Sequence, residues 1–301
     1  MKHIFKYSFY LLIFSILLLL SGCGNTPDDT AFLEELKSIE NVLEVEKVEF
    51  TEEGTDNFKV QTYLIRYQSD ECEVEAYLSV PNKYLKNSDS HPLIMYNRGG
   101  NRDFGANDPA FIAYLADSSE TIVAASQYRG TKGSTGKDEF GGADTNDIIH
   151  LIDICESLSI VDMNNFYMLG ASRGGMMTYQ IIRQDSRVQK AVVLSGAADL
   201  FILCEDRKDM KNMLNGMIGG FPEDVPEEYE KRSATYWADE ILCPVMIIHS
   251  KLDERVSYEQ AEKMAECLEA ASKEYEFISY EDDVHGFHEE DYEIIMNWFG
   301  L

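Results

Sequence analysis

The stretch that most restricts how this chain can fold is Phe166-Tyr167-Met168-Leu169-Gly170-Ala171-Ser172-Arg173-Gly174-Gly175-Met176-Met177. Phe166 to Leu169 is an apolar run of strand length, and the segment beyond the glycines reads as the start of a helix. Gly170, Gly174 and Gly175 remove side chains where a tight strand-to-helix reversal would otherwise clash. Such a turn lifts the Ser172 hydroxyl above a sheet, within reach of a base. It also sets the backbone N–H of Arg173 at a helix N-terminus, where it can stabilise an oxyanion. A Gly-rich corner without chemistry can show the same spacing, so Ser172 needs partners before it is a nucleophile.

Two later segments offer them. Pro244-Val245-Met246-Ile247-Ile248-His249 reads as a buried strand with Asp253 in the loop beyond it. Glu276 to Tyr280 reads as the last strand, followed by Asp282-Asp283-Val284-His285-Gly286-Phe287-His288. In a parallel sheet the loops that follow the strands emerge at one edge, so Ser172, Asp253 and His285 can meet there. A serine hydroxyl is a poor nucleophile at neutral pH and needs an imidazole to take its proton, while a carboxylate orients the ring and stabilises its charge. His285 is the candidate base and Asp253 the candidate orienting acid, with Glu254 the nearest competitor. The order Ser, Asp, His along the chain resembles that of the α/β-hydrolases.

The remaining segments fit one domain of that kind over residues 32–301. Phe32 to Val42 has helical spacing, and Val45 to Val80 alternates as antiparallel strands do. Pro92 to Tyr96, Thr121 to Ala125 and Ala191 to Leu194 read as buried strands, and Asp144 to Leu158, Tyr258 to Ala271 and Tyr292 to Phe299 as helices. The expected fold is a mostly parallel twisted sheet with helices on both faces and a small helical insertion at about 200–237. After the Pro92 strand comes Asn97-Arg98-Gly99-Gly100, whose glycines let a backbone N–H at or near Arg98 face the site as a second oxyanion donor. The side chains of Arg98 and Arg102 can equally be solvated or paired with acidic surface. In the insertion, Met210, Met213 and Met217 either line a pocket or fill a helix face.

The chain carries 54 acidic against 26 basic residues, a formal net charge of −28. That surface repels phosphate backbones, which excludes nucleic acid as a partner and otherwise serves solubility. Lys2 and Lys6, the apolar run Tyr7 to Leu20 and Ser21-Gly22-Cys23 describe an export signal rather than a membrane-spanning helix. The ending resembles the lipobox of bacterial lipoproteins. It implies a signal peptide over 1–22, lipidation of Cys23, a tether over 23–31, and an extracytoplasmic protein held to a bacterial membrane by lipid. The five other cysteines form no CxxC pair, and no structural role for bridging is expected.

Two tempting motifs fail. Gly130 to Lys137 has the wrong spacing for a phosphate loop, and Asp138 stands where Ser or Thr would hold magnesium. His285-x-x-His288 with Glu289, Glu290 and Asp291 gives no fixed ligand face, so neither metal nor cofactor is expected. His249, on a strand, reads as a structural histidine, and His91 and His150 carry no pattern.

From about Phe58 onward the chain resembles the prolyl oligopeptidase-like branch of serine α/β-hydrolases. The carriers are Gln127-Tyr128-Arg129-Gly130, Gly170-Ala171-Ser172-Arg173-Gly174-Gly175, Arg232-Ser233, His249-Ser250-Lys251-Leu252-Asp253-Glu254-Arg255-Val256 and His285-Gly286-Phe287. The resemblance implies an acyl-enzyme on Ser172 and peptide substrates. Larger members carry an N-terminal β-propeller, for which too few residues precede the catalytic domain, so dipeptide release is not expected. Peptidases of the family often place a Tyr after the strand that Pro92 begins, to donate to the oxyanion, whereas Asn97-Arg98 stand here. A carboxylesterase or deacetylase with the same triad, acting on a small ester, is therefore the second expectation. An idle surface binding protein is the third.

Overall fold

The protein is described by a computed structural model over residues 28–50 and 58–301. Cys23, the expected signal segment and most of the tether lie outside the described residues. Among those residues no helix is long and apolar enough to cross a membrane.

Among the described residues a single nine-stranded sheet forms, ordered β1-β2-β3-β5-β4-β6-β7-β8-β9. β1 (Val42–Lys47), β2 (Val60–Ser69) and β3 (Cys72–Pro81) form an antiparallel meander, and β3 joins β5 (Ile122–Ser126) in antiparallel fashion. From β5 onward every pairing is parallel, through β4 (His91–Asn97), β6 (Val161–Ala171), β7 (Lys190–Leu194), β8 (Val245–Ser250) and β9 (Tyr275–Tyr280). The period of two along a strand divides its apolar side chains between two cores. In β6, Phe166 and Met168 face a core with α1 (Thr30–Ser38), α3 (Thr145–Glu156), α4 (Arg173–Gln184) and α8 (Tyr258–Ala270). Tyr167 and Leu169 face the other core, with α2 (Pro109–Ser119) and α9 (Asp291–Phe299). Both faces of the parallel strands are thus covered, which is why their sequence reads as unbroken apolar runs rather than alternation.

Two boundaries differ from the sequence reading. The first helix ends at Ser38, Ile39 is already extended, and Val42 belongs to β1. Ile39 and Val42 continue the helical spacing from Leu36 by chance, and pairing of Val42 with β2 overrides it. The strand before the elbow begins at Val161 rather than Phe166, its first half more polar and less buried. The insertion resolves into α5 (Leu200–Asp206), α6 (Lys208–Ile218) and the single turn α7 (Pro226–Glu230). Cys72, Cys155, Cys204, Cys243 and Cys267 are all unbridged.

The antiparallel meander is bolted to the parallel half by a buried ion pair. Asp147 on α3 is fully buried; its Oδ1 accepts from Nη2 of Arg129 at 2.7 Å and from Oγ of Ser69 on β2 at 2.6 Å, and its Oδ2 accepts from the Arg129 backbone N–H at 2.7 Å. Nδ1 of His150 also meets Ser69 Oγ, at 2.9 Å, a role that the sequence pattern did not announce. Removing one partner strands the other charge inside, so Asp147→Ala is expected to cost about 3–5 kcal/mol of stability, read as a lowered denaturant midpoint.

Candidate active site

Ser172 sits between β6 and α4 at φ 57°, ψ −122°, a backbone region that a residue with a side chain occupies only under constraint. The constraint is visible on all sides. Its N–H donates to Leu194 O on β7 at 2.9 Å, and its carbonyl accepts from Gly175 N at 3.0 Å and Ala197 N at 3.3 Å. The glycines are needed for clearance: a Cβ on Gly174 would lie 1.9 Å from the Asn97 carbonyl oxygen, and one on Gly170 would lie 2.2 Å from the Gly174 carbonyl oxygen. β4 and β6 therefore pack closely enough that the segment after β4 runs directly beside the elbow.

Asp253 follows β8, and its side chain is 0% exposed. Oδ1 accepts from the backbone N–H groups of Arg255 at 2.8 Å and Val256 at 3.2 Å, and Oδ2 accepts from Nδ1 of His285 at 2.7 Å. Burial alone would raise its pKa. The nearby His249 ring, the His285 hydrogen bond and the Arg255 amide together outweigh burial and hold the carboxyl well below the usual carboxylate range. His249 contributes from below: its Nε2 lies 3.5 Å from Asp253 Oδ2 but 2.8 Å from the Val256 carbonyl, which takes the proton. Its Nδ1 has no partner among the described residues, so the ring is only half satisfied.

With Nδ1 of His285 committed to Asp253, Nε2 is the ring nitrogen left for Ser172. Ser172 and His285 line the same cavity, of about 620 Å³. No hydrogen bond joins them here, and such catalytic bonds commonly tighten only once substrate is bound. His288, three residues on, is held elsewhere, with Nε2 3.1 Å from Asp282 and Nδ1 3.2 Å from Asp291. The two histidines thus serve different carboxylates rather than one centre, and among the described residues no His, Cys, Asp and Glu cluster could hold a metal.

Arg98 needs correcting in part. Its side chain is neither solvated nor paired with acidic surface but 1% exposed, donating to backbone carbonyls. The cavity wall beside Ser172 is made by Gly99 and Gly100. Arg102 is exposed as allowed. Of the insertion's methionines, Met210 and Met213 line the cavity with Leu203, whereas Met217 is buried in the core. Sequence reasoning missed the side chain of Arg173, which forks onto Asp138 at 2.7 and 2.8 Å and reaches Asp144. The sequence signal is the acidic pair Asp138 and Asp144, whose spacing does not by itself assign them to Arg173.

The profile of the prolyl oligopeptidase family matches residues 108–299. The chain is 30% identical over 229 residues to a Bacillus subtilis protein described as uncharacterized peptidase YtmA, covering 76% of this chain and 87% of that one. It is 24% identical to dipeptidyl peptidase family member 6 of Caenorhabditis elegans, covering 72% of this chain but 34% of that one. Among solved structures, the acylaminoacyl peptidase of Pyrococcus horikoshii superposes with a TM-score of 0.71 at 19% identity, over 81% of this chain and 42% of that one. Acetyl xylan esterase 1 of Thermoanaerobacterium superposes with a TM-score of 0.61 at 15% identity, over 91% and 93%. These structural likenesses establish the α/β-hydrolase fold, and the chain spans less than half the length of the larger peptidases. On its sequence match and the serine hydrolase architecture around Ser172, the chain belongs to the prolyl oligopeptidase family of serine peptidases.

Proposed function

We propose that the protein cleaves peptide bonds through an acyl-enzyme formed on Ser172. The observation that carries this reading is the 2.7 Å bond from His285 to a buried, ionised Asp253, at the wall of the cavity into which the strained elbow presents Ser172. Nε2 of His285 takes the Oγ proton as Oγ attacks the scissile carbonyl carbon, and the C=O electron pair moves onto oxygen. The N–H of Arg173, one of the first-turn groups of α4 without an intrahelical acceptor, meets that oxyanion together with an N–H of the segment after Arg98. Collapse of the tetrahedral intermediate expels the amine, which takes its proton from the imidazolium. Water, deprotonated by the same ring, then releases the acid and regenerates Ser172.

A second reading, a carboxylesterase or deacetylase, is favoured by one observation. At Asn97-Arg98, the Arg98 side chain turns into the protein, so no side-chain hydroxyl at this position reinforces the oxyanion site. Esters, with a better leaving group, need less help there than amides. We also propose that Cys23 carries a lipid that holds the enzyme outside the cytoplasm, on the strength of the Leu20-Ser21-Gly22-Cys23 ending.

A fluorophosphonate probe is expected to label the wild-type protein and not Ser172→Ala. Asp253→Asn is expected to lower kcat by about 10⁴, as loss of the orienting carboxylate does in serine proteases. Proline-containing amide substrates should turn over alongside short acyl nitrophenyl esters; ester turnover with no amide cleavage would reject the peptidase reading. Because Asp253 is held below its ordinary pKa, its ionised form stabilises the fold above the unfolded value of about 4, and this is lost as pH falls through the lowered folded value. The stability gap between wild type and Asp253→Asn, measured by urea titration, should therefore be level at neutral pH and close in acid. In a bacterial host, Cys23→Ser should move the protein from the membrane to the soluble fraction; unchanged fractionation would reject the anchor.

A further inference from the structure

The loop after β4 is gripped from inside by two buried guanidinium groups. Arg98 donates from Nη1 to the carbonyls of Gly99 at 3.0 Å and Phe104 at 3.3 Å, from Nη2 to that of Arg102 at 2.9 Å, and from Nε to Gln127 O at 3.0 Å. Arg173, 2% exposed, donates from Nη1 to the carbonyl of Gly100 at 3.2 Å. It is held there by its fork onto Asp138, whose Oδ2 also accepts the Arg102 backbone N–H at 2.7 Å. The Tyr128 ring lies against both cations, 5.0 Å from the Arg98 guanidinium carbon and 5.2 Å from that of Arg173, and Phe140 lies 4.6 Å from the latter. Arg98 and Arg173 balance Asp138 and Asp144 in formal charge, which makes so dense a buried cluster tolerable.

Peptide planarity turns this grip into a direction. In a trans peptide the C=O and the N–H of one unit point opposite ways, and the described residues contain no cis peptide. The Gly99 and Gly100 carbonyls end on the buried guanidiniums, so the N–H groups of Gly100 and Asn101 are turned away from them. Gly99, Gly100 and Asn101 all line the cavity that Ser172 opens into. A Cβ on Gly99 would lie only 3.1 Å from the Ser172 Cβ, so this backbone passes directly over the elbow.

We infer that the buried side chains of Arg98 and Arg173 are positioning residues that fix the peptide planes from Gly99 to Asn101 and so aim the Gly100 N–H at the oxyanion formed on attack by Ser172. The inference rests on the serine hydrolase reading above. It gives Arg173 two separate contributions: a backbone donor on one side of the oxyanion, and a side chain that fixes the Gly100–Asn101 peptide plane next to the Gly99–Gly100 plane held by Arg98.

The test uses the full protein and the variants Arg98→Met, Arg98→Lys, Arg173→Met and Asp138→Asn. Three quantities are measured in each: kcat and KM on an acyl nitrophenyl ester, Ki for a trifluoromethyl ketone, which adds Ser172 to form a charged tetrahedral adduct, and the thermal midpoint. Asp138→Asn keeps an acceptor for the Arg102 amide and serves if Arg98→Met or Arg173→Met does not fold. Loss of an aimed oxyanion donor costs about 10²-fold, so Arg98→Met, which frees the Gly99–Gly100 plane, should lower kcat by about that factor with KM nearly unchanged, and Arg173→Met, which frees the adjoining plane, by less. Ki for the ketone should rise in parallel with the fall in kcat/KM across the series, because both report binding of the oxyanion. Arg98→Lys, which keeps the cation but not the spread of donors, should recover part of the loss, and Asp138→Asn should cost less than Arg98→Met. Folded variants whose thermal midpoints drop while kcat and Ki stay within about threefold of wild type would overturn the inference and leave the cluster a packing feature. A wild-type protein that no fluorophosphonate labels would overturn the hydrolase reading and the inference with it, whereas labelled wild type with unmoved Ki in the variants overturns the inference alone.

Discussion

The backbone of Ser172 is the constraint on which the rest of the site depends. A non-glycine residue at positive φ in this conformation costs on the order of 1–3 kcal/mol and persists only where its surroundings over-determine it. Here the register of the parallel strands does so. Asn97 pairs with Gly170, and Gly170 in turn pairs with Val193, so the ends of β4, β6 and β7 are level where the chain turns. The hydrogen bonds of Ser172 to Leu194, Gly175 and Ala197 follow from that register, as does the approach of the Gly99 backbone. Move any of the three strands by one residue and the elbow loses both its anchors and its neighbour.

Burying carboxylates in a chain of net charge −28 calls for discipline, and each one near the site has a distinct solution. Asp253 is met by a histidine and two amides, Asp147 by Arg129 and Ser69. Asp138 and Asp144 share Arg173, with unequal results. Burial pushes both carboxyls up; in Asp138 the Arg173 fork and two backbone N–H groups outweigh it, whereas in Asp144 burial prevails. Among the described residues most of the other acids are at least partly exposed, where water screens them.

What could be read from the sequence, and what could not, divides along physical lines. The buried parallel strands were legible because each is a short apolar run ending at a loop with chemical residues, and this is also what brings Ser172, Asp253 and His285 to one edge of the sheet. The first helix boundary was not, because Ile39 and Val42 keep the helical spacing set by Leu36, and only pairing of Val42 with β2 decides against it. The Arg98 and Arg173 cluster was not legible either. Its members lie on the loop after β4, the loop after β5 and the start of α4, and a basic residue beside a glycine pair gives no hint whether it faces water or backbone carbonyls. For Arg98 the answer came from geometry that no local pattern encodes: the loop curls around the guanidinium so that its carbonyls converge.

The insertion that lines the cavity is attached away from Ser172, Asp253 and His285, and its attachment explains how the cavity wall and the elbow can vary separately. The insertion is pinned at its root. Gln260 on α8 is fully buried and accepts from the N–H groups of Ala198 and Asp199 while donating to the Asp199 carbonyl, and Ser233 Oγ accepts from Leu200 N and donates to Tyr229 O. Those bonds hold the path from β7 into α5 without touching Ser172, Asp253 or His285. Beyond that root, Leu203, Met210 and Met213 present flexible apolar side chains to the cavity, with Arg207 and Asp209 paired at its wall. Unbranched methionine side chains adapt to the shape of what they meet. Substitutions there would reshape the pocket while the elbow, set by strand register, and the acid–base pair, set by the Asp253 cradle, stay where they are.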